Sequence, residues 1–87
     1  MDAALSMRDV ASVCNLSDHA CRKLFRDPAL SQTYTEQPGP NAGRPRRYWR
    51  LVSLIPVLRG KHFFTPVMER DLVALDIQRR NKEIENA

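Results

Sequence analysis

Apolar and polar positions recur at helical spacing from the start of this chain. In LSMRDVASVC (5–14), Val10, Ala11 and Cys14 fall on one stripe, which predicts a short helix with one buried face. Ser6 stands where a cap belongs, and Asp9 three residues later completes a Ser-x-x-Asp variant of the capping box. Leu5 before the cap and Val10 four residues after it have the spacing of a hydrophobic staple. The expected helix covers 7–14. Asn15, a residue that tolerates the left-handed conformation, ends it.

The pattern restarts one turn later. Ser17 can cap a second helix, Asp18 suits its positive N-terminal end, and Leu16 with Cys21 repeats the staple spacing. Over 18–27, Ala20, Cys21, Leu24 and Phe25 form an apolar stripe and leave Asp18, His19, Arg22, Lys23 and Arg26 outward. Pro28 discourages continuation, because the residue before a proline is disfavoured in a helix.

The helical period then lapses. QTYTE (32–36) and RRYWRL (46–51) are β-prone and flank QPGPNAGRP (37–45), so the region reads as a β-hairpin around a Gly/Pro loop. Asn41 lies in that loop, with Arg44, Arg46 and Arg47 at its exit. Tyr48 and Trp49 are expected to anchor the hairpin on the helices, Trp49 as a core residue. Ser53 can cap a third helix over 54–59, with Pro56 in its first turn and Gly60 just past its end. Thr65 and Pro66 then open a longer helix to about residue 83. On it Met68, Leu72 and Leu75 share one face, and Val73, Ile77 and Ile84 an adjoining line.

The expected fold is mainly α with a small β-hairpin wing. It divides into a winged helix-turn-helix over 1–64 and a C-terminal helix over 65–87, which packs on the domain or mediates self-association. Two helices too short to be stable alone stabilise each other when joined by a tight turn, and the second can then enter a DNA major groove.

Composition sharpens this picture. Eighty-seven residues, 43% hydrophobic and 28% charged, suit one folded domain with a modest core. No apolar run approaches the roughly 20 residues that span a membrane, and no basic segment precedes an apolar stretch at the N-terminus. Cys14 and Cys21 make no disulfide framework, so the expected compartment is the cytoplasm, in association with the nucleoid. The net charge is +4, and its location matters more than its size. Residues 34–62 hold six basic side chains against one acidic, whereas residues 1–33 balance four against four. A local excess of this kind points to a polyanion.

The candidate site follows. His19, Arg22, Lys23 and Arg26 would face the major groove, where Arg or Lys can bond guanine O6 and N7. Ser17 and Asp18 sit at the helix start, where first-turn N–H groups hold a phosphate. In the wing, Asn41, Arg44, Arg46 and Arg47 would follow the backbone or enter the adjacent minor groove, whose narrow form concentrates negative potential. The plain alternative is that both basic groups are solvated surface. Absence of balancing acids in the hairpin and the preceding turn favour DNA contact. Cys14, Cys21, His19 and His62 match no strong zinc spacing. No nucleophile or acid–base arrangement is evident, so no enzyme activity, cofactor or metal is expected.

DVASVCNLSDHACRKLF, GRPRRYW and SLIPVL, in that order, resemble the MerR-like winged helix-turn-helix superfamily, including small excisionases (recombination directionality factors) and AlpA-like regulators. The matching pieces are Val10-Ala11, Leu16-Ser17, Arg22-Lys23-Leu24, the Arg-x-Tyr at 46–48 and the helix after Ser53, spanning residues 6–59. Cys14-Asn15 departs from the glycine often found in the turn. The resemblance implies a second helix in the major groove and a wing in the minor groove. For the excisionases it also implies cooperative binding to repeated sites and DNA bending that directs an integrase or other recombinase toward excision. The excisionase role is expected over a transcriptional regulator, because no effector domain follows. Rival readings are a protein-interaction module or inhibitor using the 66–83 helix, and the DNA-recognition part of a phage packaging small subunit.

Overall fold

The computed structural model describes residues 3–37 and 45–85, with side chains described as far as Asn81. Within them the order is α1 (Met7–Cys14), α2 (Asp18–Leu24), α3 (Pro28–Ser31), β1 (Thr35–Gln37), β2 (Arg46–Tyr48), α4 (Leu51–Arg59) and α5 (Pro66–Glu85). The molecule is mostly helical, with a two-stranded antiparallel hairpin and a long C-terminal helix.

The start of the chain folds as its caps dictate. Ser6 Oγ accepts the Asp9 N–H at 3.2 Å while the Asp9 carboxylate accepts the Ser6 N–H at 3.0 Å, which closes the capping box. Leu5 and Val10, the staple pair, are fully buried. Asn15 takes the left-handed conformation at φ 54°, and Ser17 Oγ accepts the Ala20 N–H at 3.2 Å to start α2.

Three boundaries differ from the sequence reading, each for a local reason. α2 stops at Leu24 rather than 27. Pro28 forces Asp27 out of the helical region, to ψ 130°, and the Asp27 side chain accepts the Ala29 N–H at 2.9 Å, capping the single turn α3. β1 begins three residues later than the β-prone stretch, because that turn extends to Ser31. α4 begins at Leu51, three residues earlier than the expected start at 54. Its cap is Arg50, which makes no side-chain cap bond, so Ser53 lies inside the helix and Pro56 in its second turn. Gly60 follows at φ −78°, a conformation open to any residue.

The hairpin pairs Thr35 with Tyr48, Glu36 with Arg47 and Gln37 with Arg46. Trp49 then forms an antiparallel bridge with Leu5, its N–H donating to the Leu5 carbonyl at 2.7 Å. This bridge ties the hairpin to the entrance of α1. Trp49 Nε1 also donates to the buried Leu30 carbonyl at 2.7 Å, and the indole meets Phe25 edge-on at 4.6 Å. One core results, in which Leu5, Val10, Cys14, Cys21, Leu24, Phe25, Leu30, Trp49, Leu54, Leu58 and Leu72 pack together. Each buried aliphatic side chain of this kind contributes about 1.5–3 kcal/mol.

α5 lies against α1 and α4. Thr65 Oγ1 accepts the Met68 N–H at 3.2 Å, Leu72 is fully buried, and Met68 and Leu75 pack at the edge of the core. On the adjoining apolar line Ile77 is 46% exposed, and the Ile84 side chain lies outside the described residues. Asp76 is 2% exposed, pairs with Arg80 through Oδ2 at 3.0 Å and leaves Oδ1 without a partner. Burial raises its carboxyl pKa above the ordinary value, against the lowering effect of Arg80. No helix among the described residues is long and apolar enough to cross a membrane.

Candidate nucleic-acid interface

α2 is fixed by its inner face. Cys21 and Leu24 are buried, and Cys21 Sγ donates to the Met7 carbonyl at 3.5 Å, locking the helix across α1. Its other face is therefore left to solvent. Asp18, His19, Arg22 and Lys23 are exposed there, and together with Arg26 they line a shallow open groove. Arg26 reaches this groove from the turn after α2, held by its N–H to the Lys23 carbonyl at 3.3 Å, and not as a helical residue. Ser17 is exposed at the head of the row, with its oxygen occupied as the cap acceptor. Among the described residues, none of these cations forms an ion pair, although Asp18 shares their groove.

The hairpin presents its arginines differently. Arg46 and Arg47 are both exposed on β2. Arg47 lies opposite Glu36, with Nε 3.8 Å from Oε1, and its guanidinium sits 4.5 Å from the centre of the Tyr34 ring. Tyr34 in turn meets Trp49 edge-on at 6.0 Å. The stack Arg47–Tyr34–Trp49 thus carries one surface cation back to the core and holds it in a set direction. Asn41 and Arg44, the other expected hairpin contacts, lie outside the described residues.

A second basic surface joins elements far apart in sequence. An open cleft between the first turn of α1, β2 and α5 is lined by Arg8, Asp9, Arg46, Arg47, Tyr48 and Arg79, among others. Arg79 Nη2 donates to Asp9 Oδ1 at 3.2 Å. Neither Arg8 nor Arg79 stands out in the sequence. The Asp9–Arg79 contact spans 70 positions, so no local spacing could have revealed it.

Other titratable groups are committed to structure. Burial raises the pKa of both cysteine thiols, reinforced by the neighbouring Cys21 for Cys14 and by Asp18 for Cys21. Thiols shifted this way are poor nucleophiles and poor metal ligands. No group of three or more His, Cys, Asp or Glu side chains gathers among the described residues. On the opposite flank Arg59 donates to Glu69 through two nitrogens at 2.7 and 3.1 Å, which lowers the Glu69 pKa.

Compared with protein-family models, curated proteins and solved structures, the chain has no significant match. The exposed groups of α2 and β2 can do what cations on a rigid scaffold do: neutralise phosphates and donate paired hydrogen bonds to planar acceptors.

Proposed function

We propose that the chain binds double-stranded DNA with sequence preference, as a MerR-like winged helix-turn-helix. In this reading α1 and α2 are the helix-turn-helix. α2 enters the major groove with His19, Arg22 and Lys23, joined by Arg26 from the turn after it, and the hairpin is a wing that brings Arg46 and Arg47 to the adjacent minor groove or backbone. The observation that carries it is the exposed basic row of α2, capped by Ser17, backed by buried Cys21 and Leu24, and without an ion pair among the described residues. A helix fixed from behind loses little backbone freedom on docking, which favours base contact over loose attraction. The resemblance of residues 6–59 to small excisionases supports the finer proposal, an excisionase-type directionality factor that loads on repeated sites and bends DNA for a recombinase. A transcriptional regulator of the same fold is the nearest alternative.

Selection of random-sequence duplexes at low and moderate salt tests the proposal. Enrichment of closely spaced direct repeats supports tandem loading of the excisionase kind. An inverted repeat supports a two-fold dimer acting as a regulator. No enrichment, with retention only at low salt, leaves bare charge attraction and overturns base readout. A protein-interaction role for α5 draws on one specific observation, the exposed apolar Val67 and Ile77 on that helix. A stoichiometric protein partner, in the absence of duplex binding, would favour it.

A further inference from the structure

We propose that the cleft between the first turn of α1, β2 and α5 is a seat for a DNA backbone phosphate, and that it brings the C-terminal helix into the DNA footprint. The inference rests on the DNA-binding reading and extends it to Arg8 and Arg79, which the helix row and the hairpin do not include.

Three features of the cleft carry the argument. Four arginines from three separate elements converge on it, Arg8 from α1, Arg46 and Arg47 from β2 and Arg79 from α5, with Asp9 as the one lining carboxylate among the described residues. Both oxygens of that carboxylate are already engaged, Oδ2 by the Ser6 N–H and Oδ1 by Arg79. Arg47 has Glu36 at 3.8 Å, while Arg8 and Arg46 form no ion pair among the described residues, so part of the cleft's positive charge is left for an anion to complete. Guanidinium groups are matched in geometry to phosphate oxygens, to which they can donate paired hydrogen bonds.

The shape and position select a polymer over a small ligand. The cleft is open, so a chain can pass across it. Its floor is tied to α2 from behind: Met7 lines the cleft, and its carbonyl accepts the buried Cys21 Sγ of that helix. Duplex DNA carries one negative charge per roughly 1.7 Å of axis, so a backbone crossing the open cleft offers it phosphates in close succession. Arg79, held against Asp9, is already directed towards the cleft and needs no rearrangement of α5 to meet the backbone.

The test compares the full chain with Arg8→Glu, Arg79→Ala and Arg70→Ala, measuring duplex affinity across a range of salt and thermal stability alongside. Arg70 is exposed and outside the cleft, and serves as the control. The proposal expects Arg8→Glu and Arg79→Ala each to weaken all duplexes alike, by several-fold at low salt. Each should make the log–log salt slope shallower by about 1, with the ranking of sequences kept. Arg8→Glu keeps the test valid if loss of the Asp9 contact destabilises Arg79→Ala. Unchanged slopes in both variants, while the parent binds DNA, would overturn the phosphate seat and leave the α2 reading standing. A parent that fails to bind any duplex would remove the DNA-binding reading itself. A changed sequence ranking would also count against the proposal, as it marks a base contact. Inorganic phosphate at millimolar concentration that displaces the duplex selectively from the parent, and not from Arg8→Glu, would reassign the cleft to a free anion.

Discussion

The cations of α2 and those of α5 meet different surroundings. On α5, Arg70 lies 4.0 Å from Asp71, Arg79 3.2 Å from Asp9 and Arg80 3.0 Å from Asp76. On α2, Arg22 and Lys23 share their face with Asp18 and pair with no carboxylate among the described residues. Exposed pairs add little stability, about 0–1 kcal/mol at most, but they do neutralise. The difference therefore shows where positive charge stays unpaired among the described residues, which net charge alone does not. Arg79 stands between the two cases, because its acid is shared with a cap and its cleft holds three further arginines.

The comparison can be broken most forcefully through the scaffold that both helices share. Trp49→Ala removes the contacts with Phe25 and Tyr34 and leaves the Leu30 carbonyl without its donor, so a loss of about 3–5 kcal/mol is expected in urea unfolding. DNA binding should disappear with the fold in that variant. Arg22→Ala sharpens the contrast. It should weaken duplex binding by about 1–3 kcal/mol and relax one base position, while unfolding free energy shifts by less than about 0.5 kcal/mol. Anisotropy titration and urea unfolding of one preparation measure both.

Ser6→Ala should cost about 1 kcal/mol of stability through its capping bond to Asp9. The Asp9 carboxylate keeps its bond from the Ser6 backbone N–H in that variant, so the Arg79 contact should persist. The smallest effect concerns Asp76, whose folded pKa lies above its ordinary 3.8 because it is buried. Folding thus favours the protonated carboxyl, and stability falls as pH rises from about 3.8 through the folded pKa. Asp76→Asn should abolish that decline. Unfolding curves for parent and variant should diverge over the interval, with the variant gaining relative stability at higher pH.

Legibility followed the range of the interactions. The α1 boundaries, the Asn15 turn and the start of α2 were readable because caps and staples act within four residues. The end of α2 was missed because a side-chain cap at Asp27 let Pro28 open a new turn instead of a loop. The start of α4 was missed because no capping side chain announces it: the Leu5–Trp49 bridge immediately precedes it, across 44 positions of chain. The same limit applied to the candidate site. The α2 row followed from helical spacing, whereas Arg8 and Arg79 meet only in the folded chain.

Amide chemical-shift mapping, as a duplex is added at low salt, tests the central claim most directly. The account predicts the largest changes over residues 17–26 and 46–48, smaller ones at Arg8 and Arg79, and none around Arg59, Glu69 and Arg70. Changes confined to the paired cations of α4 and α5, with α2 unmoved, would contradict it.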